Sequence, residues 1–344
     1  MSAEGRAPQR YDVVVIGAGQ AGLAIGHFLA QQGKRFLIVD AADSVGAAWR
    51  DRWDSLLLFT PRRYDSLPGL PFPGDPAGYP TRDEVIAYLE QYAETFDLPI
   101  ELGSPVRSVK TNDGGFSVDL GDRSIEADQV VVATGPFQTH STGYRNPSDV
   151  PEGTVLVVGG GNTGFQIAEE LSATHRVHLA VGSRQMPLPQ KLLGRDLFWW
   201  LTKFGLLQKT VESRLGKRMR DRDTLIGSSP RAAKRSGVQI RPRAVSVTGR
   251  IVSFADGSEL EVDAVIWATG YRNDHSWIDH GHEIQHKRGV TEIPGLYFLG
   301  LQWQYTRGSA LLGWVKDDAE YIAERIAAYE PQPQVGAITA HTGA

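Results

Sequence analysis

Two glycine turns of one kind, Gly17-Ala18-Gly19-Gln20-Ala21-Gly22 and Gly159-Gly160-Gly161-Asn162-Thr163-Gly164, each follow an apolar β-type run, YDVVVI at 11–16 and VLVV at 155–158. In such a turn the first glycine permits the tight bend and the second lets backbone approach a pyrophosphate. The third lets the following helix pack close to the sheet, with its N-terminus toward the phosphates. A single GxGxxG is weak evidence, because glycine-rich strand-to-helix turns are common in α/β chains. Two, each in register with its strand, constrain the chain to an α/β fold with two dinucleotide sites.

What ends the next strand distinguishes the sites. After the first turn, FLIV at 36–39 reads as a second buried strand closed by Asp40, at about the 20-residue offset where a carboxylate accepts from a ribose hydroxyl. After the second turn, the strand at 177–181 ends in Gly182-Ser183-Arg184, without an acid. A carboxylate there would repel a 2′-phosphate, whereas a guanidinium grips it with paired, charge-assisted hydrogen bonds. The second site therefore reads as one for NADPH, with Ser183 and Arg184 as phosphate contacts. Asn162 and Thr163, at the start of the second helix, add amide and hydroxyl donors, and they also suit plain helix capping.

Composition narrows the function class. A chain of 344 residues, 41% hydrophobic and 22% charged, has the length of about two domains and can bury substantial cores. The net charge of -4 gives no footprint for nucleic acid. There is no cysteine, which excludes a disulfide framework, a cysteine-ligated zinc site and a redox-active CxxC pair. No metal centre is expected. The polar segment at 1–10 lacks the apolar stretch of a signal peptide, and no run is long enough to span a bilayer. A cytoplasmic enzyme is expected, with oligomeric state left open and a homodimer among the options.

Three units are expected along the chain: 1–148 as the first part of one dinucleotide domain, 149–274 as an inserted second domain, and 275–344 as the return to the first. Residues 53–79 form a loop dense in proline, arginine and aromatics, of the sort that is functional in compact enzymes. Thr81-Arg82-Asp83-Glu84 has capping-box spacing, with Val85, Tyr88, Leu89, Tyr92 and Phe96 following at helical intervals. Segments around Val106, at 116–120 and at 124–125 look like a meander. A separate run at 128–132 leads into Ala133-Thr134-Gly135 and one at 263–266 leads through Trp267 into Ala268-Thr269-Gly270, and each phrase closes a nucleotide unit. A helical insertion is expected at 186–237; its aromatic run LFWWL at 197–201 suits core, pocket cap or membrane contact, and its basic stretch at 214–222 suits a solvated face. A last helix is expected from about Ser309 to Tyr329.

In combination, the first glycine turn, Trp49, FTPRRYDSLPGLPFP at 59–73, YPTRDEVIAYLEQYA at 79–93, GGGNTG, IWATGY at 266–271 and GLYFLG at 295–300 resemble the class B flavin monooxygenases. The resemblance covers 11 to about 329 and is nearest to the bacterial branch similar to the YUCCA-type enzymes. It implies two Rossmann-like domains, each a three-layer sheet sandwich, with the NADPH domain inserted into the FAD domain. It also implies a reduced flavin that meets O2 to form a C4a-(hydro)peroxide. By that likeness Gly17, Gly19, Gln20, Ala21, Gly22, Asp40 and Gly135 bind FAD, Trp49 lies near the flavin, and Val106 lies near the adenine. Gly300 and the helix start at Ser309 approach the far side of the isoalloxazine. Gly159, Gly161, Asn162, Thr163 and Gly164 cradle the NADPH pyrophosphate.

The chain departs from the family pattern FxGxxxHxxxY, of which only the second half is legible, as His140-Ser141-Thr142-Gly143-Tyr144; the segment preceding it is short. Where the liver-type enzymes carry a supporting asparagine, this chain has Phe59-Thr60. His140, Tyr144 and Asn162 are the candidate catalytic residues, and a linker role is the alternative for His140. The expected activity is NADPH- and O2-dependent monooxygenation of a small nitrogen-, sulfur- or carbonyl-bearing substrate. An NADPH oxidase or reductase releasing hydrogen peroxide, and a redox-sensing flavoprotein without turnover, remain alternatives.

Overall fold

The computed structural model describes residues 9–135, 143–183, 186–220, 224–270 and 273–330. Strand β1 (Arg10–Ile16) enters the first glycine turn and helix α1 (Gln20–Gln31), and the chain returns as β2 (Phe36–Val39). A short helix α2 (Ala47–Arg50), the long loop, α3 (Arg82–Thr95) and β3 (Ile100–Glu101) follow. The antiparallel pair β4 (Ser108–Asn112) and β5 (Gly115–Asp119) leads into β6 (Ser124–Val132). The plan then repeats with β7 (Thr154–Val158), α4 (Asn162–Leu171) and β8 (Arg176–Ala180).

The insertion comprises β9 (Met186–Leu188), β10 (Lys191–Leu192), β11 (Arg195–Asp196), α5 (Leu197–Lys203), α6 (Arg214–Arg220), β12 (Thr224–Ile226) and α7 (Pro230–Arg235). It is thus not purely helical, and β9 pairs in parallel with β12. After it come β13 (Gln239–Arg241), the meander β14 (Ala244–Thr248), β15 (Ile251–Phe254), β16 (Glu259–Glu261), and β17 (Ala264–Trp267). The chain ends with β18 (His286–Lys287), β19 (Val290–Thr291), β20 (Leu296–Phe298) and α8 (Val315–Ala327).

Two sheets organise these elements. One runs β18-β19-β20-β6-β1-β2-β3, with β5 also pairing β6, so strands from both ends of the chain share it. The other runs β13-β8-β7-β17. The inner runs of both nucleotide strands, 13–16 and 155–158, are continuously apolar because both their faces are covered. Alternate side chains serve different cores. Val13 and Val15 pack with residues of α1, α3 and α8, while Val14 and Ile16 pack with Val109, Phe116 and Val118 of the β4–β5 extension. In the second sheet Val155 and Val157 face Phe165, Ile167 and Ala168 of α4, and Leu156 faces Val252 and Phe254 of the meander. Each unit is therefore helices, parallel sheet and antiparallel meander in three layers.

Two expectations on elements need correction. The stretches at 124–125 and 128–132 form one strand, β6, whose first half pairs antiparallel with β5 while the strand also runs parallel to β1. The last helix begins at Val315 and not at Ser309. Ser309 is 1% exposed, and its Oγ accepts from the amides of Tyr305 and Thr306, at 3.1 and 3.0 Å, which precede it. A helix-starting serine accepts from amides that follow it. Ser309 therefore closes a turn.

The capping box ahead of α3 is present in full: Thr81 Oγ1 accepts from Glu84 N at 3.2 Å, and Glu84 Oε2 accepts from Thr81 N at 2.8 Å. Thr81→Ala should lower stability by about 1 kcal/mol, read as a lower urea midpoint at unchanged slope. An unchanged midpoint would show that α3 is held by its buried face alone.

Candidate active site

The two glycine turns have the same geometry. Gly17 and Gly159 have φ of +112° and +136°, and a Cβ on either would lie 2.5 Å from Ala133 O or 2.0 Å from Ala268 O. The two Ala-Thr-Gly phrases thus press their backbones onto the first glycine of each turn. A Cβ on Gly22 would sit 1.8 Å from Gly17 O, and one on Gly164 would sit 2.0 Å from Gly159 O. Gly19 and Gly161 are different, since a Cβ on either meets nothing within 4 Å. They are the N-caps of α1 and α4, and neither helix has a side-chain cap or an acid in its first turn. Helix-end amides with open space before them are what a pyrophosphate needs, and a dinucleotide fits both turns.

Around the first turn, Asp40 ends β2 with Oδ2 accepting from Ala18 N at 2.6 Å and Oδ1 from Ala42 N at 2.9 Å. An ionised carboxylate has lone pairs left for a ribose hydroxyl. Ala21 packs beneath Gly300, whose φ is +84° and whose Cβ would lie 2.9 Å from Ala21 Cβ. Gln20 Oε1 accepts from Trp49 Nε1 at 3.2 Å, and the Trp49 ring packs against the cores of both units. Gly135 has φ +66° with nothing within 4 Å of a Cβ. Val106 precedes β4, half-buried against the core that Val14 and Ile16 form with the β4–β5 extension.

At the second turn, Asn162 Oδ1 accepts from Ile226 N at 3.0 Å, fastening β12 of the insertion to the start of α4. Thr163 follows in the first turn of that helix. Ser183 is exposed beyond β8, while Arg184 and His140 lie outside the described residues. Sequence reading missed Arg243, which stands beside this strand end with Nη2 donating to Gly182 O at 3.2 Å. Its only sequence signal is position, just after β13, the neighbour of β8. Tyr144 is 4% exposed in the core that Val155 and Val157 form with α4, where its hydroxyl donates to Glu170 Oε2 at 2.7 Å. Burial first, then Glu170, pushes that phenol's pKa up. Tyr144 thus anchors α4 from within a core.

The 53–79 loop and the insertion meet over the first unit. Phe198 is 1% exposed and lies with Phe59, Tyr64 and Trp314 in one aromatic cluster, the Tyr64 and Trp314 rings stacked at 5.7 Å. Gln190 Nε2 donates to Phe59 O at 2.7 Å, and Tyr79 donates to Asp196 Oδ2 at 2.5 Å. Leu197 and Phe198 are therefore core. Trp199 and Trp200 are half-buried, with Arg195 and Lys203 over the Trp199 ring. In the same loop Asp65 is fully buried, and burial raises its carboxyl pKa to about 7 against the pull of Thr60 and Arg62.

Comparison with known proteins agrees with this architecture. Residues 14–191 match the family described as pyridine nucleotide-disulphide oxidoreductase. The CzcO-like oxidoreductase of Geobacillus kaustophilus is 46% identical over 92% of this chain and 98% of its own. The probable indole-3-pyruvate monooxygenase YUCCA9 of Arabidopsis thaliana is 28% identical over 91% and 88%. The structure of a flavin-containing monooxygenase from Stenotrophomonas maltophilia superposes with a TM-score of 0.75 at 30% identity, covering 93% of this chain and 99% of that one. Without cysteine, the disulphide chemistry in the family's description has no residue here to carry it. No helix among the described residues is long and apolar enough to cross a membrane. The chain belongs to the pyridine nucleotide-disulphide oxidoreductase family and, within it, is an oxidoreductase of the flavin monooxygenase kind.

Proposed function

We propose that this chain is an FAD-dependent monooxygenase that uses NADPH and O2 on a small nitrogen-, sulfur- or carbonyl-bearing substrate. The observation that carries the reading is the pair of matched turns in which Gly19 and Gly161, at the helix starts, face open space while the glycines at either end of each turn are packed against backbone. FAD is assigned to the first turn, where Asp40 stands at the ribose position and Gly300 returns beside Ala21. NADPH is assigned to the second, where β8 ends without an acid and Arg184 and Arg243 supply cations. When bound, these groups supply hydride transfer and oxygen chemistry.

The chain's own residues bind, align and keep out water. Trp49, held by Gln20, wedges between the two units beside the first turn. Phe59, Tyr64, Phe198 and Trp314 form an apolar cluster where the 53–79 loop, the insertion and the segment before α8 meet, and it would keep water out there once cofactors are bound. Asn162 and Tyr144 serve by fixing α4, and His140 is the candidate proton carrier.

The purified protein should be yellow and release FAD on heating, and in air it should consume NADPH with substrate-dependent product. Release of FMN alone, or no flavin, would overturn the two-dinucleotide assignment. Turnover that yields only hydrogen peroxide would make it an oxidase. Arg184→Ala should lower kcat/KM for NADPH by roughly 10- to 100-fold, the loss of one charge-assisted phosphate contact of about 1.5–3 kcal/mol, and leave NADH untouched. Equal use of both cofactors by the unaltered protein would refute the phosphate role.

A further inference from the structure

Four of the nine histidines fall within 275–286, a concentration that neither dinucleotide site uses. Two of them, His280 and His282, flank Gly281, whose φ of +77° makes a turn that brings the rings to one side, with centroids 4.4 Å apart. Opposite lies Glu292, just past β19. Its Oε1 is 3.2 Å from His282 Nε2 and 3.7 Å from His280 Nε2, and one ligand atom from each of the three residues lies within 4.8 Å of the others.

We propose that His280, His282 and Glu292 form a binding site for a divalent transition ion of the zinc type, with water completing the coordination. Two imidazoles and one carboxylate are a donor set that zinc and its neighbours favour over calcium or magnesium. With metal–ligand bonds of about 2.0–2.1 Å, separations of 3.2 and 3.7 Å subtend roughly 100° and 130° at the ion, on either side of the tetrahedral angle. The carboxylate is also held in place, because Glu292 Oε1 accepts from Gln285 N at 3.2 Å, the kind of outer contact that orients a ligand.

The site has a place in the fold. Its histidines precede β18 and its glutamate follows β19, so an ion would join the two ends of the hairpin at the edge of the large sheet. Gly281 and His282 also line a cavity beside Phe298 and Leu301, directly before and after Leu299-Gly300. A bound ion would therefore stiffen one wall of that cavity. None of the three ligands touches either glycine turn, so the ion would bind whichever dinucleotides the chain takes.

The test is equilibrium dialysis of tag-free, chelator-treated holoprotein against Zn2+, with Co2+ as a second probe read by its visible absorption. One equivalent should bind with a dissociation constant in the micromolar range or below, and Co2+ should give the intense bands of a four-coordinate site. His282→Ala and Glu292→Gln should each weaken binding by at least ~10-fold, with unchanged circular dichroism, since both side chains are exposed and carry little packing. His175→Gln, remote in sequence, should bind as the parent does. No stoichiometric binding, binding indifferent to the two triad variants, or equal loss in the His175 variant would each overturn the proposal.

Discussion

Gly161→Val should fold, keep its flavin and lose NADPH oxidation by on the order of 10³-fold, while Gly19→Val should fold and carry no flavin. Both glycines have ordinary extended backbone, at φ −83° and −78°, and a Cβ on either meets nothing within 4 Å. A valine costs the free protein little and fills the space that a pyrophosphate needs. The third glycines should behave in the opposite way. Gly22→Ala and Gly164→Ala set a methyl 1.8 and 2.0 Å from a backbone oxygen, so helix and strand must part, at a cost beyond the about 1–3 kcal/mol of ordinary overpacking. Flavin content, NADPH turnover and thermal melts separate the outcomes. Wild-type NADPH turnover in Gly161→Val, or a wild-type melt in Gly22→Ala, would contradict the division of labour within each turn.

What the sequence disclosed and what it hid divide along the reach of the interactions. The turns, their strands and the capping box at Thr81 are local patterns, in which each residue's job is set by neighbours a few positions away. The two Ala-Thr-Gly phrases were legible only because they recur after similar strands, yet each closes directly on its glycine turn. The start of the last helix was misjudged because Ser309 looks like a cap in isolation. Its hydroxyl instead closes the turn behind it, on Tyr305 and Thr306, and distant chain enters only at Gly313, so close to the 53–79 loop that a Cβ would be 1.7 Å from Tyr64 O. The pairing of β9 with β12, the carbonyl of Asn162 on Ile226, and Arg243 beside Gly182 likewise join segments far apart in sequence. No local spacing encodes them.

Asp65 should make the protein less stable as the pH rises from about 4 to 7, and Asp65→Asn should abolish that part of the pH dependence. The carboxyl is fully buried, with Oδ1 accepting from Thr60 Oγ1 at 2.6 Å and Oδ2 without a partner among the described residues. Arg62, the nearest cation, is paired with Glu84 instead. Burial therefore raises the folded pKa to about 7, well above the ~3.9 of an unfolded aspartate. Between those values the folded state holds a proton that the unfolded state has lost, so stability is greatest below the unfolded pKa and falls by at most ~1.4 kcal/mol per pH unit. Summed over the window this approaches about 4 kcal/mol, an upper bound that loop relaxation and water entry reduce. His178 opposes it over the lower part of the range. Burial and Arg241 depress that imidazole to about 4, so the unfolded state binds the extra proton and stability rises from about pH 4 to 6.5. Other groups shifted by burial, His27, His275, His286, Glu169 and Asp317 among them, also shape the wild-type curve, and the difference between wild type and Asp65→Asn isolates the carboxyl. Urea midpoints at pH 5, 6, 7 and 8 measure it: the variant should gain on the wild type at each step up to pH 7 and hold a constant lead above it. Parallel curves would mean that Asp65 is ionised in the folded protein throughout.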